Sequence, residues 1–351
     1  MKSVVAIFKH RKQLVFFSLL LLVFLSVPLC IYLGYYKASI FEITRVIFRP
    51  DNSQLSIVVW DLRIKRILAA IIIGAILGGS GTAVQASMRN PLASPFTLGL
   101  SYAASVGVAV GLLALNEGSI LRYQINIQNP FIIAFFAFIF SLIQVLIILL
   151  LAYKAGLSSI SLVLSSIAIS FAYQALLYLI QYFFLNEIYV STVVFWTFGD
   201  LERISWEELK LIAIVSLLIV IPYFVYRSID YDVIIGGDDI AKSSGINPRR
   251  LRFETIFIAA LGASLATSFV GVVGFVCLLA PHISRFLVGG GHRYLMPTSM
   301  AMGSLILLWS DTLGRIIISP VTIPVGIMTS LLGVPLLIFL LIKGEKHGYR
   351  D

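Results

Sequence analysis

Apolar runs of about twenty residues, the length of helix that crosses a bilayer, recur along this chain. One polar interruption among them, residues 85–95, constrains the fold most. It holds Arg89, Asn90, Pro91 and Pro95, and it lies between the glycine-spotted apolar stretches 67–82 and 96–115. Two prolines break a helical ladder and free backbone groups that hydrocarbon cannot satisfy. Such a segment belongs at a membrane surface, inside protein or beside a water-filled path. It reads either as a plain loop between two membrane helices or as part of a closure across a pore.

Composition fixes the class. Hydrophobic residues make up 59% and charged residues 12%, about half the charged share of a soluble domain. The chain is an all-α polytopic membrane protein, a single transmembrane domain over residues 1–351. Its net charge of +9 forms no aromatic-interleaved basic patch, so no nucleic acid is expected as a partner; membrane lipid is. Cys30 and Cys277 both lie in apolar runs and read as small core residues rather than a disulfide framework. Bulky Leu29 before Cys30 argues against a lipoprotein cleavage site.

In chain order, Lys9, Arg11 and Lys12 precede an apolar run at 14–34, which reads as an uncleaved first helix with a cytoplasmic N-terminus. Residues 35–65 read as an external connection, amphipathic in places. Further spans are expected at 67–88, 95–115, 131–153, 157–184 and 209–226. Two more share 253–287, split near the glycines at 271 and 274, and the last two fall at 294–313 and 323–342. Residues 116–130 and 186–208 are external; 227–252 and 343–351 are internal. This gives about ten helices with both termini in the cytoplasm. Sixteen of the 26 Lys and Arg and seven of the 17 Asp and Glu then lie inside, so the whole formal charge falls on one face. Arg63, Lys65 and Arg66 are a local external exception.

Catalysis has little support. His10, His282, His292 and His347 form no H-E-x-x-H pattern, and no nucleophile elbow or phosphate-binding loop is present. The chain is read as a transport subunit, not an enzyme, with no metal and no cofactor of its own. An ion-coupled secondary transporter is the rival from composition, because broken, glycine-rich helices are present. Its usual mid-membrane acids are missing, with Glu254 and Asp311 both placed near helix ends. Residues 236–252 discriminate. Asp238 and Asp239 are suited to open a short helix and Gly245 to end it, and Asn247-Pro248 to start a second short helix carrying Arg249, Arg250 and Arg252. Two short rigid helices make a poor ion path and a good docking knob.

Four blocks now make a pattern. They are Leu62-Arg63-Ile64-Lys65-Arg66 with the interruption from Arg89 to Pro95; residues 237–245; residues 274–285, including Ala280-Pro281-His282; and Ile323-Pro324-Val325-Gly326-Ile327 with Gly333-Val334-Pro335. In this order the chain resembles the permease subunits of binding-protein-dependent ABC importers for iron–siderophores, haem and cobalamin, the FecCD-type family, over about residues 60–342. It departs from the family pattern at Lys65, where proline is common, and at Ala280, where valine is common.

The resemblance implies a type II ABC importer permease that pairs with a second permease copy, identical or related, around a shared path. It implies two cytoplasmic ATPase subunits that hold ATP and Mg²⁺, and an extracytoplasmic binding protein that delivers substrate. By the same resemblance Arg63, Arg66 and Arg315 dock the binding protein. Gly237, Asp238, Asp239, Ala241, Gly245, Arg249 and Arg250 couple to the ATPase. Asn90, Leu92, Ser158 and Ser159 belong to the cytoplasmic gate. The expected cargo is an iron–siderophore, with haem, cobalamin and molybdate as alternatives.

Overall fold

The computed structural model describes residues 2–115 and 130–344; most of the external loop expected at 116–130, and the end of the tail, lie outside the described residues. Every regular element among the described residues is a helix. In chain order they are α1 (Lys2–Tyr32), α2 (Ile40–Phe48), α3 (Gln54–Met88), α4 (Leu100–Leu115), α5 (Pro130–Lys154), α6 (Ser159–Phe184) and α7 (Glu187–Thr197). There follow α8 (Trp206–Tyr226), α9 (Ser228–Ile235), α10 (Asp238–Ser243), α11 (Pro248–Val270), α12 (Val276–Val288), α13 (His292–Ile316) and α14 (Val325–Gly344). Six stretches, in α1, α3, α5, α6, α8 and α11, are long and apolar enough to cross a membrane, and α4, α12 and part of α14 are shorter apolar helices. At 25 residues α13 has the length but buries hydroxyls, among them Ser299, Ser304, Ser310 and Thr312.

The centre of the bundle is α3, packed most extensively against α13. Small residues permit this: a methyl group at Gly74 would strike the Gly303 carbonyl, and one at Gly78 would strike that of Ser299. Without a hydrophobic drive between helices in lipid, such close backbone approach supplies the dispersion contacts that hold helices together. Helix α6 is the opposite case. Only 17% of its most apolar stretch is buried, against 78% for that of α3.

Two boundaries differ from expectation in ways that matter. The second span begins at Gln54, not near residue 67, because a π-helical segment, Val58–Ile64, runs straight into the α-helix. Asp61, Arg63, Lys65 and Arg66 look like a polar connector in sequence. Asp61, Arg63 and Arg66 are tolerated in the helix because tertiary partners take up their polar groups. At 35 residues α3 is about 52 Å long, well beyond the ~30 Å hydrocarbon core, so its first turns stand outside it. The connection before it contains α2, opened by a capping box between Ser39 and Glu42.

The third span is also split. α3 ends at Arg89 in the left-handed conformation, residues 96–98 form a 3₁₀ turn, and Gly99 (φ 80°) precedes α4. The break at residues 271–275 is present as expected. There Gly271 (φ 80°) comes so close to the Trp196 carbonyl that a side chain has no room, and the Asp200 amide donates to Val270 O at 2.6 Å.

Candidate functional site

The sequence-derived residues gather at the two ends of α3. Arg66 and Ser87 are 21 residues apart on one helix, hence about 32 Å.

At the Ser87 end, α10 is a six-residue helix set between two glycines, Gly237 (φ 123°) and Gly245 (φ 81°). Both φ values suit glycine and strain other residues. Ala241 is buried, whereas the Asp239 side chain is 98% exposed and pairs loosely with Lys242 at 3.3 Å. Asp238 is the anchor. Its two carboxylate oxygens accept from Arg252 at 2.5 and 2.8 Å, and Arg89 lies 3.3 Å away. Arg252 is 1% exposed, and its Nε also donates to Ser87 O at 3.0 Å, while Nη1 reaches Leu157 O at 3.5 Å. One guanidinium therefore joins the short helix, the end of α3 and the turn before α6. The hydrogen bonds from Arg252 hold the Asp238 carboxyl below the usual carboxylate range, against the opposing effect of its partial burial; the charges of Arg252 and Arg89 add to the lowering.

Arg249 and Arg250 are exposed, and Arg250 donates to Glu254 at 2.6 Å. They do not lie on a second short helix. Asn247 caps the long α11 by accepting from the Arg250 amide, and both arginines sit in its first turn. The second short helix is instead α9, on the other side of α10.

Asn90 accepts from the Leu92 amide at 2.9 Å, a local turn that fixes the start of the interruption. Asn90 and Leu92 line a cavity of about 240 Å³ with Thr97, Val163, Ser166 and Ile167. Ser158 and Ser159 lie just N-terminal to that cavity wall. Ser158 caps α6 by accepting from the Ser161 amide, and the Ser159 hydroxyl is buried without a partner. The structure thus brings the interruption against α6 one to two turns beyond the two serines.

At the far end of α3, Arg63, Arg66 and Arg315 line one cavity of about 290 Å³ with Tyr35, Tyr36 and Glu202. All three arginines are buried and bound internally. Arg66 donates to Asp311 at 2.6 and 3.1 Å and to Glu202 at 2.8 Å, with Asp200 at 3.6 Å. Arg315 donates to the second Asp311 oxygen at 3.2 Å. Arg63 takes carbonyls, those of Ile31 and Tyr36, each at 2.7 Å. Asp200, Glu202, Asp311 and Arg252 were not singled out as site residues in the sequence. Asp311 comes from a position 245 residues beyond Arg66, so spacing gave no signal. Among the described residues no group of three or more His, Cys, Asp or Glu is arranged to hold a metal.

Comparison with known proteins identifies the family. The sequence model of the FecCD transport family matches residues 19–343. A protein of Methanocaldococcus jannaschii assigned as an ABC transporter permease is 39% identical over 341 residues, covering 96% of this chain and 97% of its own. A permease protein of the Fe(3+)-citrate import system of Bacillus subtilis is 35% identical over 290 residues, covering 83% of each. A solved inward-facing structure, assigned to the metal-chelate type of ABC transporter, superposes with a TM-score of 0.80 at 26% identity. It covers 95% of this chain and 99% of the other. The chain therefore belongs to the FecCD transport family, as a multi-pass permease of the cell membrane.

Proposed function

We propose that this permease carries a ferric chelate of the iron–siderophore class inward, driven by ATP that partner subunits hydrolyse. Ten spans with both termini in the cytoplasm fit the charge distribution and put α9 and α10 on the inner face. The observation that carries the reading is the Asp238–Arg252 latch. A pull on exposed α10, applied by a cytoplasmic ATPase charged with ATP and Mg²⁺, passes through one buried guanidinium to Ser87 O and Leu157 O. Those carbonyls stand at the entrances to Asn90 and Leu92 on one side and to Ser158 and Ser159 on the other. Gly237, Asp238, Asp239, Gly245, Arg249 and Arg250 form the face that meets the ATPase, with Ala241 buried beneath it. A second permease copy supplies the other wall of the path, and the lightly buried α6 is the helix most in need of such a neighbour.

At the outer face, Arg63, Arg66 and Arg315 receive an acidic surface of the binding protein. Glu202 is the internal acid with which that surface competes, because its side chain is 47% exposed, whereas Asp311 is sealed in. Charge complementarity at such a rim sets register and encounter rate, and added salt weakens it. The iron-citrate relative supports a ferric cargo; haem, cobalamin and molybdate are the alternatives. The test is reconstitution in liposomes with the cognate ATPase and candidate binding proteins, with uptake of labelled ferric siderophore, haem, cobalamin and molybdate measured. ATP-dependent uptake of ferric siderophore alone is the expected result. Uptake by the chain alone, under an ion gradient, would make it a secondary transporter and overturn the reading.

A further inference from the structure

Helix α5 is almost wholly apolar between Phe131 and Lys154, yet it carries Gln144, which is 0% exposed. Gln144 lies ten residues before the end of α5 and so about 15 Å from it, near the middle of a hydrocarbon core of about 30 Å. A primary amide at that depth is costly unless both of its ends are paired. Only one is. Gln144 Nε2 donates to Leu98 O at 2.9 Å, and Oε1 has no partner. Turning the amide over would set two oxygens face to face, so the donor direction is fixed by Leu98.

Leu98 O is the last carbonyl of the 3₁₀ turn, immediately before Gly99. The backbone at Gly99 is pinned from a second side. A Cβ there would collide with Ser170 Oγ of α6 and lie 2.5 Å from Gln144 Nε2. The positive φ and the absence of room both require glycine at this point. The interruption at residues 89–99 is therefore fastened at its inner end by the Asp238–Arg252 latch through Ser87 O, and at its deep end by Gln144, with Ser170 packed against Gly99.

We propose that Gln144 is a positioning residue for the inner gate, a proposal that rests on reading the 89–99 segment as that gate. It holds the deep end of the segment by the Leu98 carbonyl, with Gly99 as the hinge. When the segment withdraws, the amide is left beside the Ser170 hydroxyl, which can then serve its idle Oε1. Only a side chain with a donor of this reach can hold the segment where it stands here.

The test uses the full chain in inside-out vesicles, with Leu92→Cys as a reporter for a membrane-impermeant maleimide. Cys30 and Cys277 are both buried and contribute little background. Gln144→Leu, which keeps the bulk and removes the donor, is expected to label about three- to tenfold faster, the range set by the net worth of one hydrogen bond. Gln144→Glu, neutral at this depth and able to donate, should restore the wild-type rate. Labelling of folded Gln144→Leu at the wild-type rate would overturn the proposal. Should Gln144→Leu fail to fold, Gln144→Asn, one methylene too short to reach Leu98, takes its place with the same two outcomes. Labelling needs neither cargo nor ATPase. Loss of the importer reading in the uptake assay would therefore leave this result standing, and the reverse holds too.

Discussion

The two ends of α3 solve the problem of charge in opposite ways. At the Arg66 end, Arg66 and Asp311 are both sealed, with 2% and 1% of their side chains exposed, and Arg315 closes the group. At the Ser87 end only Arg252 is sealed; the Asp238 side chain keeps 36% of its surface. A fully desolvated pair gives little net stability when intact but leaves an uncompensated charge when one member is lost. A half-exposed pair loses less, since water can replace the missing partner. The group at Arg66 is built as a rivet; the pair at Arg252, on the proposed reading, is a joint that can be loaded and released.

The largest effect that would test this contrast is Asp311→Asn, which leaves Arg66 and Arg315 facing each other without their shared acid. The expected loss is about 3–5 kcal/mol, read by denaturant or thermal unfolding in detergent. A loss no greater than that from Asp238→Asn would break the comparison. Asp238→Asn itself should lower stability by only about 1 kcal/mol, discounted for its exposure. Its signature lies elsewhere: uptake falls about tenfold while the ATPase continues to turn over, measured as substrate moved per ATP hydrolysed.

The pH dependence sharpens the same joint. Because Arg252, with Arg89 behind it, lowers the Asp238 carboxyl in the folded state, the contribution of the pair is complete above the ordinary aspartate value of about 3.9. It fades as pH falls through the lowered folded-state value. Coupling should therefore stay flat from about pH 5 to 8, and a mid-range loss would point to another group. The smallest expected effect on stability, under about 1 kcal/mol, is that of Glu202→Gln. It frees one edge of Arg66 while Asp311 keeps the other. Binding-protein affinity should rise and become more salt-sensitive, measured by titration at two ionic strengths; unchanged affinity would remove Glu202 as the competing acid.

Much of this was legible in the sequence. The break at residues 271–275 followed from paired glycines in an apolar run, and the interruption after Arg89 from two prolines. The short helix α10 followed from acids ahead of Gly245. The errors share one cause. Residues 35–65 read as connector because Asp61, Arg63 and Lys65 look solvated, and the turn after Asn247 reads as a short helix because its arginines look like a surface knob. In the first case the polar groups have partners far along the chain. Asp61 accepts from Trp206 Nε1 at 2.8 Å and Arg66 bonds Asp311. In the second, Asn247 caps a helix whose apolar continuation lies downstream.

By itself, then, the sequence determined the solvent: long apolar runs, a one-sided charge distribution and breaks at proline and glycine are local properties that a bilayer reads directly. The family pattern was local too. Which charges are buried, and against what, was decided only by tertiary structure. A pair such as Arg66 and Asp311, or an amide such as Gln144 aimed at Leu98, is stable only when helices distant in sequence bring donor and acceptor to hydrogen-bond distance and exclude water from both.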